Sequence, residues 1–499
     1  MRSIALIAFL AQGICLGQGT FNVVHNYTLQ QGWPNPSGGT GRSVLETDSG
    51  YIVFGHHVAT AGLTKDFIYQ FDGVGNWLSD FELNASDPSN QNFGYSDPLN
   101  KDGYGVIGAI SSFDGANDST SQIALIRVAN DGSPLWQVSV TDSCLCGVKQ
   151  ARLTSSGKVL LAGYNDYMAM LLISDTLGEI DTLRSYANTW EALSVCSLNV
   201  GGYCFSGYQV TGVDNAIWVM RLDSIGDVIW RRDIGGSKHA GDNVSAIQTQ
   251  DGGIVATCSF MPFPGGPFDP QWNYFRKWDI DGNLLWTKQY NEQDYTTGYD
   301  LEELPNGALV ACGGERSPPA VPISKALLFK LEPDGDLIWL RRYYHYASSN
   351  STHIPYDVEP TSDGGFVLTG YAKQGQADSI PGLQMVWLLK VDSMGCLLPG
   401  CGGNGIQEIA LGLEDALRVH PNPANTNATV TATLPNDLEV RGTLSLLLVD
   451  ALGRTVLTQN MGKRFTTTTL DLSRLPHGLY HLHLRDDMRW LSGVKLVVE

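Results

Sequence analysis

The stretch SDGGFVLTG, Ser362 to Gly370, is one of seven variants of a single phrase. The others are DSGYIVFG (Asp48 to Gly55), KDGYGVIG (Lys101 to Gly108), SSGKVLLAG (Ser155 to Gly163), VGGYCFSG (Val200 to Gly207), QDGGIVATC (Gln250 to Cys258) and PNGALVACG (Pro305 to Gly313). Each opens on a tight turn, because a small polar residue beside glycine accepts the positive φ that hairpin turns demand, and continues as a short apolar strand. The turn glycines, read as Gly50, Gly103, Gly157, Gly202, Gly253, Gly307 and Gly365, recur about every 52 residues, room for four short strands.

Between the copies lies a second turn of the same chemistry. It reads DGVGNW (Asp72 to Trp77), NDGSPLW (Asn130 to Trp136), DTLGEI (Asp175 to Ile180), DSIGDVIW (Asp223 to Trp230), DIDGNLLW (Asp279 to Trp286), EPDGDLIW (Glu332 to Trp339) and DSMGCLL (Asp392 to Leu398). Alternating apolar residues precede it, as in FIYQF and AIWVMRL, and a tryptophan often opens the strand that follows. The carboxylates of DIDGN also suit a calcium loop, but such a loop adds a later bidentate acid, and here the chain runs straight into a strand. Seven four-stranded units with almost no helical periodicity predict an all-β chain, and a ring leaves no sheet edge exposed.

The expected architecture is a signal peptide over residues 1–19, a seven-bladed β-propeller over 20–402, a linker over 403–413 and a second domain over 414–499. The last copy stops at CLLPGC without a fourth strand, whereas FNVVHNYTL (Phe21 to Leu29) reads as a strand with no unit of its own. Pairing the two would close the ring.

Composition narrows the function classes. The chain has 499 residues, 51 acidic against 32 basic, and a net charge of -19, so its average surface repels a nucleic-acid backbone or an anionic bilayer. Arg2, the apolar run Ile4 to Leu10 and the small residues Gly13, Gly17 and Gly19 have the layout of a cleavable secretory signal. Gly, Pro, Asp and Asn interrupt every later apolar run before it reaches transmembrane length. An exported chain meets an oxidising compartment, where Cys396 and Cys401, flanking the turn-forming LLPG, are a disulfide candidate. Cys144 and Cys146 are too close to pair with each other without strain. Cys258 and Cys312 fall on strand positions where a lone thiol behaves as a small hydrophobe. No cysteine and histidine spacing points to a metal, and no cofactor is implied.

The short turns gather at one end of such a ring and the long irregular loops at the other, which makes the loop end the place for recognition. Its candidate ligand-binding residues are Trp33, Tyr95, Phe268, Trp272, Tyr295, Tyr299, Tyr346 and Tyr356, aromatic plates among polar groups that suit a glycan or protein ligand. The competing reading has these rings packing their own loops. His56, His57, His239, His345, His353, Glu302, Glu303 and Glu315 show no spacing of a metal triad or nucleophile elbow, so no catalytic residue is assigned, and the Glu302–Glu303 pair reads as a solvated edge. GCGGNG (Gly400 to Gly405) fits the dinucleotide fingerprint letter for letter but lacks the strand and helix that give the fingerprint its meaning.

After the linker the repeat stops, and alternating strands such as TVTATL (Thr429 to Leu434) and TLSLLLVD (Thr443 to Asp450) predict a small Ig-like β-sandwich. LRVHPNPAN (Leu417 to Asn425), VDALGRTV (Val449 to Val456), LDLSRLPHGLYHLHL (Leu470 to Leu484) and the closing VKLVVE resemble the C-terminal sorting domain of type IX secretion substrates of Bacteroidetes-type bacteria. The matching motif positions are Pro421, Asn422, Pro423, Gly453, Gly478 and Tyr480. The resemblance implies passage through the periplasm, recognition by the type IX machinery, and release or attachment to surface lipopolysaccharide. The terminal Glu499 departs from the family's usual basic end. The repeats are also similar to DGG-repeat propellers of exported proteins in those bacteria, which implies no substrate. The expected protein is thus a secreted or surface-held binding propeller, with an exported glycosidase or lyase, or a structural envelope component, as alternatives.

Overall fold

The computed structural model describes residues 19–26, 38–58, 64–83, 90–91, 98–101, 106–114, 121–129, 133–140, 146–211, 214–237, 244–260, 272–290, 295–316, 323–397, 407–408, 416–434, 443–450, 455–461, 465–485 and 490–499. All regular structure among them is β, in two compact units, one built mainly of Thr20–Leu397 and one mainly of Gly412–Glu499. Among these residues no helix is long and apolar enough to cross a membrane. The signal segment lies outside them.

The larger unit is a succession of antiparallel sheets over 39–82, 90–139, 146–186, 191–237, 244–290, 295–343 and 352–391, numbered here first to seventh. The seventh takes its fourth strand from the other end of the chain: Phe21–His25 pairs antiparallel with Gln384–Val391, from Phe21 opposite Lys390 to His25 opposite Val386. Gln407–Glu408, inside the expected linker, instead adds a short parallel fifth strand to the sixth sheet, opposite Arg341 and Arg342.

Each sheet is apolar on both faces, and consecutive sheets share a buried cluster. The fifth and sixth, for example, join through Val255, Phe275, Leu309 and Phe329, and the sixth and seventh through Val310, Leu328, Phe366 and Leu389. The series closes on itself, since Phe21, Val44, Val53 and Tyr69 share a cluster with Val367 and Leu388. Each fully buried large side chain contributes about 1.5–3 kcal/mol, and edge-on pairs such as Phe275 with Phe329, 5.4 Å apart, add to this.

The second turn of each unit explains the recurrent tryptophan. The turn glycine of one sheet lies against the fourth strand of the sheet before it. A Cβ on Gly282, Gly335 or Gly395 would stand 2.8–2.9 Å from the nearest atom of Trp230, Trp286 or Trp339, and each of these glycines has φ between +71° and +85°. In the first sheet, Gly75 meets Phe21 in the same way, at 2.7 Å. The N-terminal strand therefore supplies both the missing pairing and the aromatic ring that the next sheet rests on.

The first turns need one correction. In QDGG and SDGG the positive φ falls on Gly252 and Gly364, not on Gly253 and Gly365. The second glycine instead makes room for a lysine stem: a Cβ on Gly253 would lie 2.6 Å from Lys277 Cε, and one on Gly365 2.5 Å from Lys390 Nζ. Those two buried ammonium groups pair with the turn aspartates, Lys277 with Asp251 at 2.6 Å and Lys390 with Asp363 at 2.9 Å. Cys258 and Cys312 are free and fully buried, and burial pushes the Cys258 thiol up to about 12. Cys146 and Cys396 each take part in a disulfide. Cys401 lies outside the described residues.

The smaller unit holds a three-stranded sheet (Leu417–His420, Asn427–Thr433, Phe465–Asp471) and a four-stranded sheet (Thr455–Met461, Leu444–Val449, Gly478–Arg485, Trp490–Val498) around Val430, Leu446, Leu448, Leu470, Leu482 and Leu496. The Pro-Asn-Pro motif has a visible task. Asn422 Nδ2 donates to the Lys495 carbonyl at 2.7 Å, its Oδ1 accepts the Val497 amide at 2.9 Å, and Ala424 continues the pairing through Val497 and Glu499. The side-chain amide of Asn422 thus stands in for a peptide group along the terminal strand. Tyr480 Oη donates to the Pro476 carbonyl at 2.7 Å, tying the turn before Gly478 to the strand after it. Gly453 lies outside the described residues.

Candidate functional site

Six lead strands, Gly39–Thr47, Cys146–Leu153, Glu191–Ser197, Val244–Gln248, Tyr295–Glu303 and Thr352–Pro360, open the first and the third to seventh sheets. In five of them the pairing register slips by one residue, leaving Arg42, Lys149, Leu193, Tyr299 and Tyr356 as bulged residues. A bulge re-aims its side chain. Opposite each bulge stands the glycine that ends the repeated phrase. A Cβ on Gly55, Gly163, Gly207, Gly313 or Gly370 would sit 1.8–2.2 Å from a lead-strand carbonyl oxygen. The fifth phrase ends in Cys258 instead, and its lead strand pairs without a slip.

Two of these bulges bring predicted ligand residues together. The rings of Tyr299 and Tyr356 meet edge to face at 5.2 Å, Tyr371 follows at 6.0 Å, and the Arg42 guanidinium lies 4.1 Å above the Tyr356 ring. Beside them, where the sixth sheet meets the seventh at the loop end, a cavity of about 90 Å³ is lined by Thr297, Tyr299, Glu315, Arg316, His353 and Ile354. Its charges are paired and its histidine is fixed. Arg342 Nη2 holds Glu315 at 2.7 Å. His353 Nδ1 faces the Ser324 carbonyl at 2.9 Å, and its Nε2 accepts the Tyr346 amide at 3.0 Å, so the ring is neutral with its proton on Nδ1. Burial drives its pKa down to about 4. The same desolvation raises the Tyr299 phenol well above its usual range.

The other predicted residues divide. Tyr346 packs on the cluster between the sixth and seventh sheets and donates from Oη to Met385 Sδ at 3.2 Å. Trp272 is half-buried against the cluster between the fourth and fifth sheets. Tyr295 opens its lead strand opposite Arg316. Trp33, Tyr95 and Phe268 lie outside the described residues.

Further along the same strands, buried polar side chains bond from sheet to sheet. Asp357 accepts the Val44 amide at 2.7 Å, Gln150 the Val195 amide at 2.8 Å and Ser194 the Ala246 amide at 3.0 Å. Two residues nearer the turns, Arg152 of the third sheet reaches across to the sixth and seventh. Its Nη2 lies 2.8 Å from Glu302 and 3.9 Å from Asp300, and its Nη1 3.9 Å from Glu359. Lead strands from opposite sides of the succession therefore face a common axis, and one guanidinium bridges it. The reading of Glu302 as a solvated edge is corrected: burial, then Asp300, pushes its pKa up to about 7 against the pull of Arg152. Glu303 accepts the Gln250 amide at 2.8 Å. Counting back two residues from Thr154, Leu198, Leu304 and Thr361 places Arg152, Cys196, Glu302 and Glu359 in one register, a signal that was present in the sequence.

Residues 418–499 match the family model described as a secretion system C-terminal sorting domain. This tail marks the chain for export by the type IX machinery, to the medium or the cell surface. No protein of curated function matches the chain. Similar solved structures include the β-propeller domain of the Trilobed protease from Pyrococcus furiosus, at 10% identity over 70% of this chain and 95% of that one, with a TM-score of 0.40. YCF48 bound to D1 peptide aligns at 13% identity over 71% and 94%, with a TM-score of 0.38. A Bacteroides caccae protein of unknown function aligns at 13% over 57% and 92%, with a TM-score of 0.35. The sheet topology, a series of antiparallel and mostly four-stranded sheets joined through shared clusters, is that of β-propeller blades.

Proposed function

We propose that the chain is a closed seven-bladed β-propeller with a small Ig-like sorting domain, exported to bind a glycan or protein through its loop end. The signal peptide over 1–19 is removed on the way. Closure is supported by Phe21–His25 in the seventh sheet and by Phe21 against Gly75. The observation that carries the binding reading is the Tyr299, Tyr356 and Arg42 group beside the loop-end cavity, three side chains placed by bulges in three lead strands. Aromatic faces edged by a guanidinium suit a sugar ring or a partner's side chain. The propeller, prepared as residues 20–411, is to be tested on a glycan array and by pull-down from outer-surface fractions. Binding that Tyr356→Ala weakens at least tenfold, with the fold retained, supports the site; a ligand retained in full by Tyr356→Ala and Tyr299→Ala places recognition elsewhere.

One observation favours the enzyme reading, namely a carboxyl with pKa about 7 at Glu302 beside Asp300 and Glu359. Arg152 occupies that carboxyl directly, so binding ranks ahead of hydrolysis. Cleavage of an arrayed glycan that Glu302→Gln abolishes would reverse the order. Retention on the surface, including attachment to lipopolysaccharide, is tested by reading both mature termini in medium and surface fractions by mass spectrometry.

A further inference from the structure

The fourth sheet carries a second cysteine chemistry that its sequence phrase does not reveal. Cys196 is the penultimate residue of the lead strand Glu191–Ser197 and Cys204 the second residue of the strand Tyr203–Thr211, and the two are direct register partners between Val195–Phe205 and Ser197–Tyr203. Opposed residues of an antiparallel pair stand about 4.5 or 5.5 Å apart at Cα, and both spacings fall inside the roughly 4.4–6.8 Å that a disulfide spans. Both thiols are free. They differ in access: Cys204 is fully buried, whereas Cys196 is partly exposed, in the register of Arg152 along the axis. They differ in acidity as well. The Cys204 thiol, the Gln248 backbone and the Arg152 guanidinium all favour a Cys196 thiolate, while Cys204 is held protonated by Cys196 and by burial.

We infer that Cys196 and Cys204 form a reversible cross-strand dithiol–disulfide site in the propeller wall, with Cys196 as the attacking sulfur and Cys204 as the resolving one. The oxidant is a disulfide-bearing thiol donor of the kind an oxidising envelope compartment holds. Cys196 gives its proton to solvent and, as the thiolate, attacks one donor sulfur, forming a mixed disulfide and releasing the other as a thiolate that takes a proton back from solvent. Cys204 then loses its proton, attacks Cys196 Sγ and expels the second donor thiolate, which takes up that proton. The two protein thiols are oxidised to one disulfide, and the donor disulfide is reduced to two thiols. Cys258 and Cys312, each buried without an opposed cysteine, stay out of the exchange.

The test uses the full mature chain, reduced, repurified and exposed while folded to oxidised glutathione, with free thiols alkylated before unfolding and peptides mapped by mass spectrometry. A Cys196–Cys204 linked peptide, lighter by two hydrogens and lost on reduction, is expected, with Cys258 and Cys312 alkylated only after unfolding. The Cys204→Ser chain is expected to stop at a stable glutathione adduct on Cys196, and the Cys196→Ser chain to leave Cys204 unreacted. A lasting glutathione adduct on Cys196 in the unsubstituted chain overturns the resolving role. Two unreacted thiols in that chain overturn the site altogether, whichever of the variants folds.

Discussion

The glycine that stands opposite each bulge should be the least replaceable residue of its sheet. At Gly370 a methyl carbon would lie 1.8 Å from the Ile354 carbonyl oxygen and 2.8 Å from its carbon. Even a close carbon to oxygen contact needs about 3.3 Å, so about 1.5 Å must be found by moving backbone on one side of the bulge. Both sides are hydrogen-bonded in a buried sheet, and overpacking of this kind costs about 1–3 kcal/mol. The upper end is expected for Gly370→Ala. With an unfolding entropy of about 2.1 cal/mol/K per residue over about 380 residues, 3 kcal/mol lowers the melting temperature by about 4 °C. Gly73→Ala is the control, since nothing stands within 4 Å of its missing Cβ, and it should stay within about 0.5 kcal/mol of the parent. Cys258→Ala marks the same position in a sheet without the slip and should lose only about 1 kcal/mol for the smaller side chain. Thermal and urea unfolding followed by tryptophan fluorescence read all three. A Gly370→Ala chain that melts with the parent would refute the link between the bulge and the glycine.

Phe21→Ala removes the ring that rests on Gly75 and should cost about 3 kcal/mol, read as a lower urea midpoint. Acid should destabilise the propeller through its buried histidines: burial lowers His56, His57 and His353 to about 3, 4 and 4, so between pH 6.5 and 4 the unfolded chain takes up protons that the folded one refuses. Unfolding free energy measured at pH 7 and pH 5 should fall at the lower pH, and less so in His353→Gln. Glu302 works in the opposite sense, because its folded pKa of about 7 exceeds the unfolded value and ionisation above that value is disfavoured. The stability of Glu302→Gln relative to the parent should therefore improve from pH 5 to pH 8. Removing residues 418–499 should leave the propeller behind the outer membrane, visible by immunoblot of medium, surface and periplasmic fractions.

The seven phrases made the sheets readable because each encodes its own turn and the apolar faces on either side of it. The orphan strand at Phe21 was readable by the same reasoning, as a pairing the last unit lacked. The recurrent tryptophans were visible, but their partner was not: that Gly282 receives Trp230 depends on how one sheet leans on the next. The bulges were hidden for a related reason. Tyr299 and Tyr356 were singled out as aromatic residues near long loops, yet their meeting, and Arg42 over Tyr356, arises from register slips in three separate strands. Glu302 misled because two adjacent acids look solvated, while alternation along a strand sends one toward Arg152 and leaves its neighbour to accept a backbone amide from the preceding sheet.

The central claim is that the chain closes on itself through its own first strand, and hydrogen exchange on the mature protein tests it directly. The hydrogen-bonded amides within Phe21–His25 should exchange as slowly as those of Phe366–Lys373 in the same sheet, and Phe21→Ala should speed both. Immediate exchange throughout Phe21–His25, with the seventh sheet still protected, would show that the strand is not part of the sheet and that the propeller is held together some other way.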